Sequence, residues 1–351
     1  MLRPPHVKTT HRLVSAALAA SALALALAAC SGSGQDASPR SNATSAVAGR
    51  ASTTGAASST SAPSSAAASS SPASSAAASS SADTEPVHVQ LYNADGAHYG
   101  VGMPVIAYFS RRITDASAFQ RATSVTANGK PLQAAWYFEN SGAGKGPIEA
   151  HLRPESYWPA HADIHVALPV TSLSAGGDMR FDDNLTLDFS TGAATIATVS
   201  DAKHTLTLTE DGKTVGTYPV SLGGPGSRTI RGTKVVMEQD KDTRMQGDHG
   251  GIEYDLAHVY WTQRLTYSGE YLHAAPWNEP RNGGVIGSGD SSNGCTNLST
   301  ADARTLFRAM EPGDVVRYPD ATGPKMTLSD GFGDWNVSWA KWQTGGLVPT
   351  T

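Results

Sequence analysis

The segment Ser291–Asn297 places a cysteine directly after a glycine, and His273 precedes that cysteine by 22 residues. A thiolate is a strong nucleophile, and it needs a nearby base to accept the thiol proton. Gly294 lets the backbone approach a substrate closely, and successive N–H groups in such a turn can converge on an oxyanion. The residue types therefore make Cys295 a candidate nucleophile and His273 the best candidate for its base.

The cysteine count bears on this prediction. The chain contains two cysteines, Cys30 and Cys295. If Cys30 is lipidated, Cys295 has no partner, and a lone thiol in an exported protein indicates intermolecular pairing or a reactive group. A buried cysteine that acts as a small hydrophobic residue is the alternative. The helix expected to begin after Ser299 brings its positive end towards Cys295, which favours a lowered thiol pKa.

His273 has a setting that the other ten histidines lack. It ends an apolar run and lies shortly before a proline, in the segment His273–Trp277. We expect it at the end of a strand, where loops carry functional groups. From the residues alone, a structural histidine at a strand end is the alternative.

The N-terminal residues have the features of an export signal. A basic stretch is followed by the apolar run Leu13–Ala29, and small residues precede Cys30. The tetrad Leu27–Cys30 resembles a bacterial lipobox, so residues 1–30 are predicted to be a lipoprotein signal peptide with Cys30 as the lipidated residue. Several acyl chains on one cysteine provide a stable membrane anchor. A plain signal peptide or a signal anchor is the alternative.

Residues 31–84 consist almost entirely of Ser, Ala, Thr, Gly and Pro. Such a segment buries too little apolar surface to order itself, so a disordered linker is predicted. The whole chain has 26 basic and 31 acidic residues, a balance that argues against nucleic acid as a partner. Anchor and linker together predict an exported protein, lipid-anchored to the outer face of the cytoplasmic membrane and facing the cell wall.

The remaining sequence predicts a mainly β protein. Residues 85–180 show short strand-like runs, including a hairpin around Asn128-Gly129, and fit an immunoglobulin-like β-sandwich. Residues 181–320 are a second β-rich block with one principal helix, capped by Ser299. Residues 321–351 are expected to form a short Trp-rich extension packed on this second, catalytic domain.

Two motifs resemble the active-site signature of the L,D-transpeptidase family, particularly of its actinobacterial type. They are His273–Trp277 and Ser292–Asn297. The resemblance extends to Tyr267–Gly269, to Asp330–Asn336 and to the preceding immunoglobulin-like domain. It covers roughly residues 87–345 and implies an L,D-transpeptidase catalytic β-sandwich as the second domain.

The resemblance implies a role for each matching position. Cys295 would be the nucleophile, His273 the base, the backbone carbonyl of Ala274 the group that orients the imidazole, and the N–H of Gly294 an oxyanion donor. No cofactor and no metal is implied. The positions that would line the substrate cleft are Tyr267, Trp277, Ser292, Asn293 and Asn297. Two departures from the family pattern are Asn293, where relatives often have His, and Thr229–Gly232, where the family has Thr-Pro-x-Gly.

The implied reaction joins peptidoglycan stem tetrapeptides, one as donor and one as acceptor, into 3→3 cross-links through a Cys295 acyl-enzyme. Acylation by carbapenems follows from the same chemistry. An L,D-carboxypeptidase with water as acceptor shares the nucleophilic half-reaction and is the first alternative. A non-catalytic lipoprotein that binds the cell wall is the second. A metal hydrolase lacks support, because no HExxH or clustered Cys/His spacing is present.

Overall fold

The computed structural model describes residues 84–249 and 252–351. The predicted signal peptide with Cys30, and the predicted linker up to residue 83, lie outside the described residues. Within the described ranges, no helix is both long enough and apolar enough to cross a membrane.

The first domain is a sandwich of two main sheets. One sheet has the strand order β2-β4-β8-β7 and the other β3-β11-β9-β5-β6, while β1 and β10 form a separate parallel pair. Large aromatic side chains fill the space between the sheets, among them Phe109, Phe119 and Trp136. The elements are β1 Glu85–Val87, β2 Val89–Leu91, β3 Ala97–Tyr99, β4 Val105–Phe109, α1 Ser117–Ala122, β5 Ser124–Ala127, β6 Lys130–Pro131, β7 Ala134–Glu139, β8 Ile148–Pro154, β9 Asp163–Leu168, β10 Met179–Phe181 and β11 Leu185–Thr191.

The hairpin predicted around Asn128-Gly129 is confirmed. Both residues have positive φ, 49° and 72°, as a two-residue type I′ turn requires. The turn joins β5 to β6, which pair antiparallel.

The first sandwich extends beyond the predicted boundary at residue 180. Strand β11 pairs antiparallel with β9, with Leu185 opposite Leu168. It also pairs parallel with β3, so residues up to Thr191 belong to the first domain. Alternating hydrophobicity identifies a strand but not the sheet that it joins, which is why the boundary was placed too early.

The second domain is also built from two sheets. Their orders are β14-β13-β12-β20-β15 and β16-β17-β18-β19. The predicted principal helix is α2, in which Ser299 caps the N-terminus by accepting a hydrogen bond from the Asp302 N–H at 3.1 Å. The elements are β12 Thr195–Ser200, β13 Thr205–Glu210, β14 Lys213–Pro219, β15 Gly232–Val235, β16 Glu238–His249, β17 Ile252–Arg264, β18 Tyr271–Ala274, β19 Thr296–Leu298, α2 Thr300–Ala309 and β20 Val315–Tyr318; short 3₁₀ turns span Pro276–Asn278 and Pro280–Asn282.

The C-terminal segment holds three indole rings around one guanidinium. A 3₁₀ turn, Asp334–Asn336, and helix α3, Trp339–Trp342, form this segment. The ring centroids of Trp335, Trp339 and Trp342 lie 4.8, 5.5 and 4.3 Å from Cζ of Arg153. Because Arg153 belongs to β8, the segment contacts the first sandwich.

The same segment covers an edge of the first sandwich and touches the second. Phe138, on the edge strand β7, donates its N–H to Gly345 O and accepts from Leu347 N–H, both at 2.9 Å. Asn336 Oδ1 accepts from Thr233 N–H at 2.8 Å. The extension predicted to pack on the catalytic domain therefore contacts both domains.

Candidate active site

Neighbouring strands bring the cysteine and histidine segments together. Strands β18 and β19 pair in parallel, with Leu272 opposite Thr296 and His273 opposite Asn297. Because side chains alternate along a strand, Cys295, Asn297 and His273 are on the same side of the sheet. They line one cavity of about 180 Å³, whose walls are Met245, Tyr254, Leu256, His273, Trp277, Asn278, Ser291, Ser292, Asn293, Cys295 and Asn297.

The imidazole of His273 is held in one tautomer. Its Nδ1 lies 2.9 Å from the carbonyl oxygen of Ala274. A carbonyl only accepts hydrogen bonds, so Nδ1 carries the proton and Nε2 keeps its lone pair. Burial lowers the pKa of His273 below its usual value, against a smaller opposing effect of the Ala274 hydrogen bond. At neutral pH, His273 is therefore an uncharged base.

The thiol of Cys295 is protonated in this arrangement. Burial raises the pKa of Cys295 to about 12, and the Sγ–H donates to Gly269 O at 3.6 Å, not to the imidazole. The residue is nevertheless partly exposed to the cavity. The expectation that the helix end lowers the thiol pKa is wrong, because strand β19 separates Cys295 from Ser299 and burial has the larger effect.

The turn before the cysteine is held by its own polar groups. Ser292 Oγ donates to Cys295 O at 2.5 Å and accepts from Gly294 N–H at 3.2 Å. Gly294 has a φ of 108°, which side chains rarely tolerate. Thr229 Oγ1 donates to Gly294 O at 2.8 Å, so the first residue of the divergent segment Thr229–Gly232 still supports the turn. The Gly294 N–H would have to leave Ser292 to serve as an oxyanion donor, a role that stays a prediction.

The remaining predicted substrate residues fall into two places. Trp277 is 47% exposed, and its ring centroid lies 6.0 Å from that of His273, so it forms a wall of the Cys295 cavity. Asn293 is exposed, while Asn297 is buried and pairs through its backbone with Ser221. Tyr267 does not line this cavity.

Tyr267 and Gly294 line a second, adjoining cavity of about 620 Å³. The two cavities share Met245, Tyr254 and Asn293. The site therefore has two connected compartments, with Cys295 and His273 in the smaller one.

A hairpin that the sequence did not predict covers both compartments. Strands β16 and β17 pair antiparallel, with Met245 opposite Leu256 and Gly247 opposite Tyr254. Side chains of this hairpin line the cavities. The available signal was Gly250-Gly251 followed by the alternating start of Ile252–Arg264, which is weak because the preceding run Glu238–His249 is almost entirely polar.

A buried ion pair beneath the turn was also missed. Lys234 Nζ contacts Glu270 Oε2, and Lys234 is completely buried, with Nζ 3.9 Å from the ring centroid of Tyr318. Glu270 Oε1 accepts from Ile230 N–H at 2.8 Å. A Cβ at position 294 would lie 3.2 Å from the same oxygen, so the pair fits closely under the glycine next to Cys295.

Fold and site together define a two-domain β protein, in which an immunoglobulin-like sandwich precedes a sandwich with a cysteine–histidine cavity. The L,D-transpeptidase catalytic domain family matches residues 194–317, and the bacterial Ig domain family matches residues 41–174. The second domain therefore matches the L,D-transpeptidase catalytic domain family.

Individual relatives agree with this assignment. L,D-transpeptidase 2 of Mycobacterium tuberculosis is 30% identical over 270 residues, which are 75% of this chain and 64% of that protein. L,D-transpeptidase 5 of the same species is 29% identical over 277 residues, 76% of this chain and 58% of that protein. The chain thus spans less than two thirds of either relative. The solved structure of LD transpeptidase LdtMt1 in complex with imipenem superposes with a TM-score of 0.53 at 28% identity, over 65% of this chain and 97% of that one.

Proposed function

We propose that this protein is an L,D-transpeptidase that forms 3→3 peptidoglycan cross-links through a Cys295 thioester. The observation that carries the proposal is the fixed tautomer of His273, whose Nδ1 lies 2.9 Å from Ala274 O while its ring lines the cavity of Cys295. This arrangement provides a neutral base in the same cavity as a protonated thiol, and a nucleophilic cysteine enzyme requires both.

In the first half-reaction the thiol proton passes to His273 Nε2 as Sγ attacks the carbonyl carbon of the third donor residue. A carbon–sulfur bond forms, and the carbonyl becomes an oxyanion that backbone N–H groups near Gly294 and Cys295 would stabilise. When the oxyanion collapses, the carbon–nitrogen bond to the fourth residue, D-Ala, breaks. The protonated His273 returns its proton to the leaving amine.

In the second half-reaction the side-chain amine of a diamino acid in the acceptor stem attacks the thioester. His273 Nε2 accepts the amine proton and returns it to the departing sulfur. The larger compartment lined by Tyr267 adjoins the Cys295 cavity and is the place where we expect one of the two stems. The donor and acceptor thereby end as one 3→3 cross-linked product.

A Cys295→Ala variant tests the nucleophile. We expect the wild-type chain to gain the mass of one carbapenem and the variant to gain none, because only Sγ can form the thioester. The measurement is the intact mass after incubation with imipenem, with Ser288→Ala, at an exposed position in the loop before the turn, as control. An unmodified wild type, or an adduct retained in Cys295→Ala, would contradict the proposal.

The same proteins then distinguish the reaction from its alternatives. Purified tetrapeptide muropeptides are incubated with wild type, and the products are separated by mass. Dimers with a 3→3 bond support the transpeptidase, whereas tripeptides alone indicate an L,D-carboxypeptidase. Binding to cell walls without either product, together with no carbapenem adduct, indicates a non-catalytic wall-binding protein.

We also propose that the chain is exported and anchored to the outer face of the cytoplasmic membrane through lipidated Cys30. The support is the lipobox-like Leu27–Cys30 after an apolar run. Wild type isolated from bacterial membranes is expected to carry the added mass of the acyl chains, and Cys30→Ala to lack it, because the acyl chains are attached at that sulfur. A wild type without this added mass would exclude the lipid anchor.

A further inference from the structure

A second group of chemically active side chains lies far along the sequence from the cysteine motif. Glu139 on β7 and Glu149 and His151 on β8 meet Asp334 of the C-terminal segment. The exposed fractions of the four residues are 9%, 2%, 1% and 0%. The cluster therefore places three carboxyl groups and one imidazole in a site that is closed to solvent.

The strand register makes this cluster unfavourable by itself. Glu139 lies directly opposite Glu149 in the antiparallel pair of β7 and β8. Like charges directly opposite each other on adjacent strands are destabilising, and burial increases the repulsion because the dielectric constant is low. Burial raises the pKa of Glu139 to about 8, so either a proton or a cation at Glu139 relieves this repulsion.

Several atoms of the cluster have no hydrogen-bond partner among the described residues. They are Oε1 of Glu139, Nε2 of His151 and Oδ2 of Asp334. Buried polar atoms in native structures normally have a partner, an ordered water or a bound ion. Two of the three residues, Glu139 and His151, belong to the group whose ligand-type atoms converge.

The convergence fits the dimensions of a metal ion. One ligand atom each from Glu139, Glu149 and His151 lies within 4.8 Å of the others, and His151 Nε2 is 3.6 Å from Glu149 Oε1. Zinc takes nitrogen and carboxylate ligands at about 2.0–2.2 Å in a tetrahedron, which separates the ligand atoms by about 3.3–3.6 Å. The observed pair is close to that spacing, and a Glu139 oxygen lies within 4.8 Å of both partners.

Hydrogen bonds also hold the side chains of His151 and Glu149 in orientations that suit metal ligands. His151 Nδ1 lies 2.7 Å from Asp334 Oδ1, so the ring can donate its proton there and direct Nε2 at the ion. A histidine ligand typically makes this hydrogen bond to a carboxylate. Glu149 Oε2 accepts from Ser141 Oγ at 2.6 Å, and Glu149 Oε1 accepts from Gly142 N–H at 3.2 Å, which fixes the carboxylate in place.

We propose that Glu139, Glu149 and His151 bind a Zn²⁺ ion, with Asp334 positioning His151. The ion would neutralise the opposed glutamates and connect strands β7 and β8 to the C-terminal segment through the His151–Asp334 hydrogen bond. One imidazole and two carboxylates suit zinc better than calcium, which prefers oxygen ligands alone. The role is structural, and it does not depend on the chemistry of Cys295.

The test uses the full untagged chain, treated with a chelator, dialysed and then titrated with ZnCl₂. We expect one tightly held zinc per chain by elemental analysis and a higher thermal midpoint with zinc than without it. Glu139→Gln should bind zinc at least tenfold more weakly, because a neutral amide is a poor ligand. Asp290→Asn is the matched control, since Asp201, His204 and Asp290 form the other ligand-like group among the described residues and Asp290 is only partly buried.

The proposal is overturned if the wild-type chain retains no zinc and its thermal midpoint is unchanged. It is likewise overturned if CaCl₂ but not ZnCl₂ raises the midpoint, or if Asp290→Asn loses binding while Glu139→Gln keeps it. If Glu139→Gln does not fold, X-ray absorption spectroscopy of zinc-loaded wild type identifies the atoms that coordinate the zinc. One imidazole nitrogen with carboxylate oxygens at about 2.0–2.2 Å supports the site, and a shell without imidazole excludes it.

Discussion

Replacing His273 by Gln is expected to lower the rate of acylation by a carbapenem about 10²–10⁴-fold at pH 7, the usual contribution of a general base. The reason is the state of the nucleophile, because burial raises the pKa of Cys295 to about 12. Almost every thiol is then protonated at neutral pH, and attack requires a group that takes the proton. The rate is measured by following the adduct mass over time.

The pH dependence of this rate gives an independent check. Burial lowers the pKa of His273 below its usual 6.5, so the imidazole stays neutral at pH 6.5 and the wild-type rate falls only in more acidic solution. The ratio of the wild-type acylation rate to the rate of His273→Gln should fall as the pH rises, because the thiolate then forms without a base. His165→Gln, on the exposed face of the first sandwich, is the control and should match wild type. A His273→Gln rate within about twofold of wild type would remove the histidine from the mechanism.

Replacing Lys234 by Met is expected to destabilise the catalytic domain by about 3–5 kcal/mol, because it leaves the buried Glu270 without its partner. Burial raises the pKa of Glu270 and lowers the pKa of Lys234, so each group is poorly tolerated alone. The change is measured as the free energy of unfolding in urea. Carbapenem acylation should also slow, since Glu270 lies against Gly294.

Two further variants test whether the lost stability comes from the Lys234–Glu270 ion pair or from the loss of any lysine. Lys213→Met, at an exposed position of β14, should leave the free energy of unfolding unchanged. The double variant Lys234→Met/Glu270→Leu should be more stable than Lys234→Met, because it removes the uncompensated carboxyl as well. If the double variant lost the sum of the effects of Lys234→Met and of Glu270→Leu measured singly, the two side chains would not be coupled.

Much of the fold and part of the site could be predicted from local patterns. The hairpin at Asn128-Gly129 and the cap of α2 at Ser299 depend on neighbouring residues only, and both are found. The proximity of His273 and Cys295 came from resemblance to known motifs, since no local rule brings residues of adjacent parallel strands together. The mainly β architecture follows from short alternating runs.

The rest depends on contacts between distant parts of the chain. Lys234 and Glu270 form their pair only because β15 and the start of β18 converge beneath the turn at Gly294. The direction of the thiol pKa shift depends on how deeply Cys295 is buried, and a helix-end argument from sequence omits burial. The register that opposes Glu139 to Glu149 also cannot be obtained from either strand alone.

The way the C-terminal segment covers β7 has a consequence for biosynthesis. Both sandwiches precede residues 345–348 in the order of synthesis. Until then the backbone of Phe138 has no partner from Gly345 or Leu347, and Val348 is missing from the first core. An unpaired edge strand is a template for association with other chains, so the nascent protein passes through an interval of aggregation risk that ends only when this late segment docks.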